Sequence, residues 1–110
     1  GHSYPMAGVL PGKCFYTGRL VRFGYIELED NSGHFLSRGS RIRGHEFHYF
    51  DSEDNGADCT AYKPTTGRSY PCIHVGENYW YGFPHLYYPS CPEFAEHFVE
   101  KARSLCYTLV

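Results

Sequence analysis

Only one stretch of this 110-residue chain has the apolar spacing of an α-helix, and it lies near the C-terminal end. Apolar residues recur there at intervals of three and four and form one face: Phe94, Phe98, Val99, Ala102, Leu105 and Cys106. Ser90 and Glu93 have the spacing of a capping box, and Pro92 suits a first helical turn. We therefore predict a single helix from Cys91 to about Leu105 and a fold made otherwise of strands.

The rest of the chain contains short aromatic and β-branched runs separated by turn residues, which is typical of strands. The predicted strands cover residues 6–10, 20–29, 40–50, 59–63, 72–75 and 79–83. The run Asp30-Asn31-Ser32-Gly33 predicts a turn, and Gly76-Glu77-Asn78 predicts a hairpin between the last two strands. The acidic and polar residues 51–58 predict an exposed loop.

Strand 40–50 carries two histidines whose positions bear on metal binding. Its alternation puts one set of residues on one face (Ile42, Gly44, Glu46, His48 and Phe50) and another set on the other (Arg43, His45, Phe47 and Tyr49). His45 and His48 would thus point in opposite directions and could not share one ion. The spacing H-E-F-H also differs from the H-E-x-x-H of metalloproteases. We predict no metal site.

Composition excludes several classes of function. The net charge of -2 offers no basic surface for nucleic acid, and no apolar run approaches the roughly 20 residues of a membrane span. Five cysteines, an odd number without a C-x-x-C pair, favour reduced thiols in a cytoplasmic protein over disulfides or zinc. Residues 1–3 (Gly-His-Ser) are interpreted as a tag or linker remnant, so that the domain comprises residues 4–110.

Four segments in a fixed order carry a family resemblance: Gly8-Val9-Leu10-Pro11-Gly12, Arg19-Leu20-Val21-Arg22-Phe23-Gly24-Tyr25, Arg43-Gly44-His45-Glu46-Phe47-His48-Tyr49-Phe50 and Gly82-Phe83-Pro84-His85-Leu86-Tyr87-Tyr88. Together they resemble the C-terminal part of the class I glutamine amidotransferase domain of the cobyrinate (hydrogenobyrinate) a,c-diamide synthase family. The third segment is the most specific. The resemblance extends from about residue 4 to residue 105.

The resemblance implies an α/β fold of the class I glutamine amidotransferase type, built around a mostly parallel sheet. This chain would be its C-terminal half: a strand-rich mixed sheet with one C-terminal helix. The strand-rich pattern departs from regular βαβ alternation. That departure is expected if an N-terminal part of the same protein supplies the crossover helices and covers these strands. Without that partner, we expect self-association through an exposed strand edge.

For the site, the resemblance implies that His85 is the base of a Cys-His glutaminase whose cysteine, in a Cys-Gly-Gly turn, precedes this segment. Tyr87 stands where many class I amidotransferases have a glutamate that orients the histidine. Two candidates for that orienting role remain, Glu46 and a backbone carbonyl. Glu46 and His48 are also implied as neighbours of the glutamine site, although structural packing explains that strand equally well. Arg19 and Arg22 serve either the structure or contact with a synthetase domain.

The implied activity is a ligase reaction in which ammonia from glutamine amidates a corrinoid at the expense of ATP. ATP and Mg²⁺ would belong to a separate synthetase domain, because this chain has no G-x-x-x-x-G-K-[S/T] motif and is expected to bind no cofactor. The isolated chain is expected to be inactive. Two alternatives remain: a cobyric acid synthase-type fragment and a non-catalytic binding module. The first usually has Gly-Tyr-Glu-Ile-His in the strand and Gly after the histidine, unlike Gly44–His48 and Leu86 here.

Overall fold

A computed structural model of the chain describes residues 1–109, with the side chains of residues 1–106. Its elements, in chain order, are β1 (Cys14–Tyr16), β2 (Arg22–Asp30), β3 (Arg41–His48), β4 (Phe50–Ser52), β5 (Cys59–Tyr62), β6 (Ser69–Cys72), β7 (His74–Val75), β8 (Trp80–Tyr81), β9 (His85–Leu86), a 3-10 turn (Tyr88–Ser90) and α1 (Pro92–Leu109). The predicted strand-rich fold with one C-terminal helix is confirmed for this part of the chain.

The main sheet has five strands in the order β6-β5-β2-β3-β9, flanked by the two-stranded pairs β1-β4 and β7-β8. Every one of these pairings is antiparallel. The resemblance implies a mostly parallel sheet for the intact domain. Parallel neighbours need a crossover connection, which is usually a helix. Within the described residues no α-helix lies between two strands, so this part of the chain contains no helical crossover.

The core lies on one face of this sheet. Along β2 and β3 the residues alternate between buried and accessible, as expected for strands with one covered face. The buried apolar side chains are Ile26, Leu28, Phe35, Leu36, Ile42, Cys59, Ala61, Cys72, Ile73, Val75 and Phe94. The alternation predicted for residues 42–48 is confirmed. Phe50 is an exception, because the strand breaks at Tyr49 and Phe50 begins β4 with an exposed ring.

A buried carboxylate holds the loop between β2 and β3. Asp30 is fully buried at the end of β2. Its Oδ1 accepts hydrogen bonds from the amide and the hydroxyl of Ser32, and its Oδ2 accepts from the amides of Phe35 and Leu36 at 3.1 Å each. The predicted turn at 30–33 is therefore present, and Asp30 connects it to two core residues. The turn prediction included Asp30, but its burial was not predicted.

The strand predicted at 72–75 is interrupted at Ile73, which has a φ of 69°. A positive φ is unusual for a β-branched residue. The Ile73 amide donates to the Asn55 carbonyl, and the Ile73 carbonyl accepts from the amide of Asp58. Gly56 packs so closely that a Cβ there would lie 2.4 Å from the Ile73 carbonyl oxygen. The chain thus leaves the main sheet at Ile73 and enters the β7–β8 hairpin, whose predicted turn at 76–78 is confirmed.

Two other local predictions are wrong. Residues 6–10 form no strand, because within the described chain no strand pairs with them, and Met6 is 88% exposed. Residues 51–58 are not a simple exposed loop. Asp51 and Ser52 belong to β4, which pairs with β1, and Asp58 is half-buried.

The predicted capping box is absent because tertiary contacts occupy both side chains. The Ser90 hydroxyl accepts from the amide of Arg43 and donates to the Tyr87 carbonyl. Glu93 accepts hydrogen bonds from the hydroxyl and the amide of Ser37, which lower the pKa of its carboxyl. The helix begins at Pro92 and extends to Leu109 rather than ending near Leu105. Local capping is replaced by bonds to β3 and to the loop before it.

Only part of the predicted apolar face of the helix packs against the described core. Phe94 is buried and stacks on Phe35, whereas Phe98 is 59% exposed and Val99 is 56% exposed. The helix therefore contacts the described core mainly through its first turn. No helix within the described residues has the length and apolar character needed to cross a membrane.

Self-association of the isolated chain is a testable expectation. Exposed aromatic rings crowd the face of the sheet opposite the core, where the Phe23 ring lies edge-on to His45 and Phe47 and the Tyr25 ring lies against His45. We expect the apparent mass measured by light scattering to rise with concentration, because burying such a patch removes apolar area from water. Tyr25→Lys is expected to weaken the association. A constant monomer mass over a wide concentration range would contradict this expectation.

Candidate functional site

His85 lies on the short edge strand β9, beside β3. The pairing places His85 directly opposite His45 and Leu86 opposite Gly44. Directly paired residues share a face, so the His85 side chain is on the face that carries His45 and Tyr25, away from the core. This is the open aromatic face of the sheet.

Gly44 allows β9 to approach. A Cβ at this position would lie 2.7 Å from the carbonyl oxygen of His85, closer than any real side chain would come. The Tyr87 amide donates to the Arg43 carbonyl at 2.8 Å and continues the attachment of this segment to β3. Pro84, immediately before the strand, has no amide hydrogen to extend the ladder. The strand is two residues long and begins at the candidate base, His85.

The His85 side chain is exposed, and among the described residues no hydrogen bond, ion pair or ring contact holds it. It borders an open depression of about 650 Å³, lined by Tyr25, Ile26, Glu27, Arg43, Gly44, His45, Pro64, His85, Leu86 and Tyr87. A second depression, between β8 and α1, also reaches His85. An accessible imidazole beside a cleft of this size can exchange protons with a small bound molecule.

Glu46 and His48 lie together, but on the core face. Glu46 is 3% exposed, and both of its carboxylate oxygens are occupied. Oε1 accepts from the Tyr70 hydroxyl at 2.6 Å, and Oε2 is 2.8 Å from Nε2 of His48. The Arg22 guanidinium stacks over the Tyr70 ring at 3.9 Å. Burial and the Glu46 carboxylate raise the pKa of the Tyr70 phenol.

The structure therefore separates the candidate residues into two groups. Glu46, one of the two candidates for orienting His85, is bonded to His48 and Tyr70 instead. No backbone carbonyl in the described chain bonds the His85 ring either. The opposite orientation of His45 and His48, which we predicted from alternation, is confirmed. Among the described residues, no group of three or more His, Cys, Asp and Glu side chains is placed to hold a metal ion.

The five cysteines are all free thiols. Cys59 and Cys72 face each other across β5 and β6 in the core, and burial raises the pKa of both, that of Cys72 to about 12. Cys14 and Cys106 are exposed, and Cys91 precedes α1. Neither of the described depressions that reach His85 is lined by a cysteine. A thiolate partner for His85 is thus absent from its described surroundings.

Comparisons with known proteins identify the relatives. The chain is 32% identical over 94% of its length to a cobyrinate a,c-diamide synthase from Caldanaerobacter subterraneus subsp. tengcongensis. It is 31% identical over 99% of its length to one from Picrophilus torridus, and 32% identical over 94% to one from Salmonella typhimurium. The chain is similar to one part of cobyrinate a,c-diamide synthase.

The matches cover 24%, 22% and 24% of these three synthases, so the chain spans about a quarter of the length of the curated relatives. No family model matches the chain, and no solved structure matches it either. The similarity to cobyrinate a,c-diamide synthase confirms the resemblance carried by the four sequence segments. These relatives are named as synthases, that is, as enzymes.

Two residues of the site region were missed by sequence analysis. Tyr70 supplies the hydroxyl that satisfies Glu46, and Phe83 stacks on His48 with ring centroids 4.1 Å apart. Both are distant from β3 in sequence. The signal available in advance was Glu46 itself, since a carboxylate on the buried face of a strand requires a donor. Which donor forms the hydrogen bond to Glu46 depends on the pairing of β6 with β5, because β6 carries Tyr70.

Proposed function

We propose that this chain is part of a glutamine-dependent, ATP-dependent corrinoid amidating enzyme of the cobyrinate a,c-diamide synthase type, and that His85 is the general base of its glutaminase site. The observation that carries the proposal is the similarity to synthases of that name over nearly the whole chain. The exposed position of His85 at the start of an edge strand supports it.

In the proposed reaction, the His85 imidazole takes the proton of a cysteine thiol, and the thiolate attacks the amide carbon of glutamine. The tetrahedral adduct collapses to a thioester, and the amide nitrogen leaves as ammonia with the proton returned by His85. Water then adds to the thioester with His85 as base, which releases glutamate and restores the thiol. The ammonia then attacks a corrinoid carboxylate that the separate synthetase domain would activate, and the activating group leaves as the amide forms.

In this proposal the nucleophilic cysteine belongs to a part of the enzyme outside this chain. Cys59 and Cys72 are buried protonated thiols, and Cys14, Cys91 and Cys106 do not line the depressions beside His85. The remaining part of the same domain would bring a cysteine to the open face. Burial of that face would also remove the exposure of Phe23, Tyr25 and Phe47.

ATP and Mg²⁺ are assigned to a separate synthetase domain. The chain has no Gly-rich phosphate-binding motif, and the described residues offer no cluster of ligands suited to a divalent cation. The described residues do not fit these groups. The glutamine amide and the corrinoid carboxylates remain the substrates of the proposed enzyme.

The two alternatives lead to different observations. A cobyric acid synthase-type enzyme would amidate other carboxylates of the corrinoid, so the regiochemistry of the product distinguishes it. A non-catalytic binding module would lose no chemistry when the His85 imidazole is removed. The test of the proposal is therefore to compare glutamine and free ammonia as nitrogen sources in the intact enzyme, with and without the His85 imidazole.

The isolated 110-residue chain is expected to release no ammonia from glutamine. A general base without its nucleophile has nothing to activate. The measurement is glutamate formation by purified chain over hours, with a known glutaminase as positive control. Turnover that disappears on Cys91→Ala would contradict the proposal, because the nucleophile would then be one of the cysteines described above.

A further inference from the structure

The His48 ring is fixed in its plane by hydrogen bonds at both nitrogens. Nε2 lies 2.8 Å from Oε2 of Glu46, and Nδ1 lies 2.6 Å from the carbonyl oxygen of Phe50. Glu46 is itself held by the Tyr70 hydroxyl. The ring is thus bonded to its own strand and to the start of β4, and the Tyr70 bond connects Glu46 to β6. Rotation about χ2 of His48 would break both bonds of the ring.

The bond at Nδ1 has a defined direction. The Phe50 carbonyl only accepts, so Nδ1 donates to it. Nε2 forms the second bond of the ring, to the Glu46 carboxyl group. The pair therefore forms a closed polar unit in which every buried polar atom has a partner.

The fixed ring forms a flat support for the segment that leads to His85. Phe83 stacks on the His48 ring, with centroids 4.1 Å apart and planes inclined by 11°. One residue earlier, Gly82 lies against Ile73, where a Cβ would approach the Ile73 Cγ1 atom to 2.7 Å. The segment 82–84 is thereby located against the core side of the molecule, immediately before His85 emerges on the open face.

We infer that His48 is a positioning residue for His85, acting through its stack on Phe83, and that Glu46 and Tyr70 serve to hold the His48 ring. The inference rests on the proposed function of His85. It gives His48 and Glu46 a role different from lining the glutamine pocket, because both lie on the core face and His85 lies on the opposite face. Small displacements of a general base are costly, since a misplacement of about 1 Å can reduce a rate about 100-fold.

The experiment compares Phe83→Leu with Phe83→Tyr in the intact enzyme. Phe83→Leu removes the stack and keeps most of the apolar volume, and it is expected to lower the glutamine-dependent kcat by about 10- to 100-fold while the ammonia-dependent rate stays unchanged. Phe83→Tyr keeps the stacked ring and is expected to retain activity. Phe15→Leu, the same change at an exposed ring of β1, is the matched control.

A second pair of variants tests the polar support. In Glu46→Gln, the amide oxygen can accept from Tyr70 and the amide nitrogen can donate to His48, so the ring stays fixed and activity is expected to persist. Glu46→Leu removes both bonds and is expected to reproduce the loss seen in Phe83→Leu. A loss in Glu46→Gln equal to that in Glu46→Leu would overturn the positioning role of the pair.

The failure of this inference and that of the proposed function give different results. If His85→Ala abolishes glutamine-dependent activity while Phe83→Leu behaves like the wild type, only the positioning role is overturned. If Phe83→Leu lowers the rates with glutamine and ammonia equally, the stack supports the fold rather than His85, which also overturns the inference. If His85→Ala leaves glutamine-dependent activity unchanged, both are overturned.

Discussion

Replacement of His85 by alanine in the intact enzyme is expected to reduce glutamine-dependent amidation by a factor of about 10² to 10⁴. The imidazole is exposed and has no hydrogen-bond partner at the start of β9, and the proposed mechanism uses it both to accept the thiol proton and to return a proton to ammonia. The reaction driven by free ammonia is expected to continue at the wild-type rate, because it bypasses glutamine hydrolysis. Both rates are measured by amidated corrinoid formed per unit time.

The control for this experiment is His34→Ala, the same substitution at an exposed histidine in the loop between β2 and β3. It is expected to leave both rates unchanged. Equal loss of both rates in His85→Ala would show that His85 supports the structure rather than the glutaminase reaction. Because His85 is exposed and its ring makes no hydrogen bond, ion pair or ring contact in the described chain, its removal is expected to cost little folding stability, so a change in rate can be attributed to chemistry.

Asp30→Asn is expected to have the largest effect on folding stability, a loss of about 2–4 kcal/mol. The buried carboxylate accepts four hydrogen bonds, from two groups of Ser32 and from the amides of Phe35 and Leu36. An amide of the same shape directs an NH₂ group at two of those donors, which leaves them buried without an acceptor. The measurement is the midpoint and slope of chemical denaturation, followed by tyrosine or tryptophan fluorescence.

Asp54→Asn is the matched control, because the Asp54 side chain is 55% exposed, accepts one backbone hydrogen bond, from Gly56, and otherwise lies only 3.7 Å from Nε2 of His74. Water can replace that bond, and the expected loss is below about 1 kcal/mol. Comparable losses in the two variants would show that the loop between β2 and β3 is stabilised by something other than Asp30. A change in the slope for Asp30→Asn alone would indicate partial unfolding of that loop in the native state.

Local patterns predicted much of the fold. The apolar period near residue 94 predicted α1, and the turn residues at 30–33 and 76–78 predicted two chain reversals that the structure contains. Alternation along 42–48 predicted which residues of β3 share a face, Glu46 among them, and the structure shows that this face is the buried one. These features depend on neighbours within a few residues, so composition and spacing alone are sufficient to predict them.

Other local patterns were overridden by distant partners. Ser90 and Glu93 have the spacing of a capping box, yet their oxygens bind Arg43 and Ser37, more than 45 residues away in the chain. Residues 72–75 favour one continuous strand, but the bonds of Ile73 to Asn55 and Asp58 divide it in two. A hydrogen bond to a distant donor competes directly with a local bond, and sequence spacing does not reveal which is available.

For the candidate site, the sequence by itself singled out His85 as the proposed base, since the segment around His85 carries the resemblance to the synthases. It also determined that His45 and His48 face opposite ways, because side chains alternate along a strand. Only the tertiary structure decided that His85 and Glu46 lie on opposite faces of the sheet. That separation follows because His85 pairs with His45, and Glu46, the next residue of β3, lies on the other face. The register between β3 and β9 is set by packing and by the close approach of the two strands at Gly44, not by local spacing.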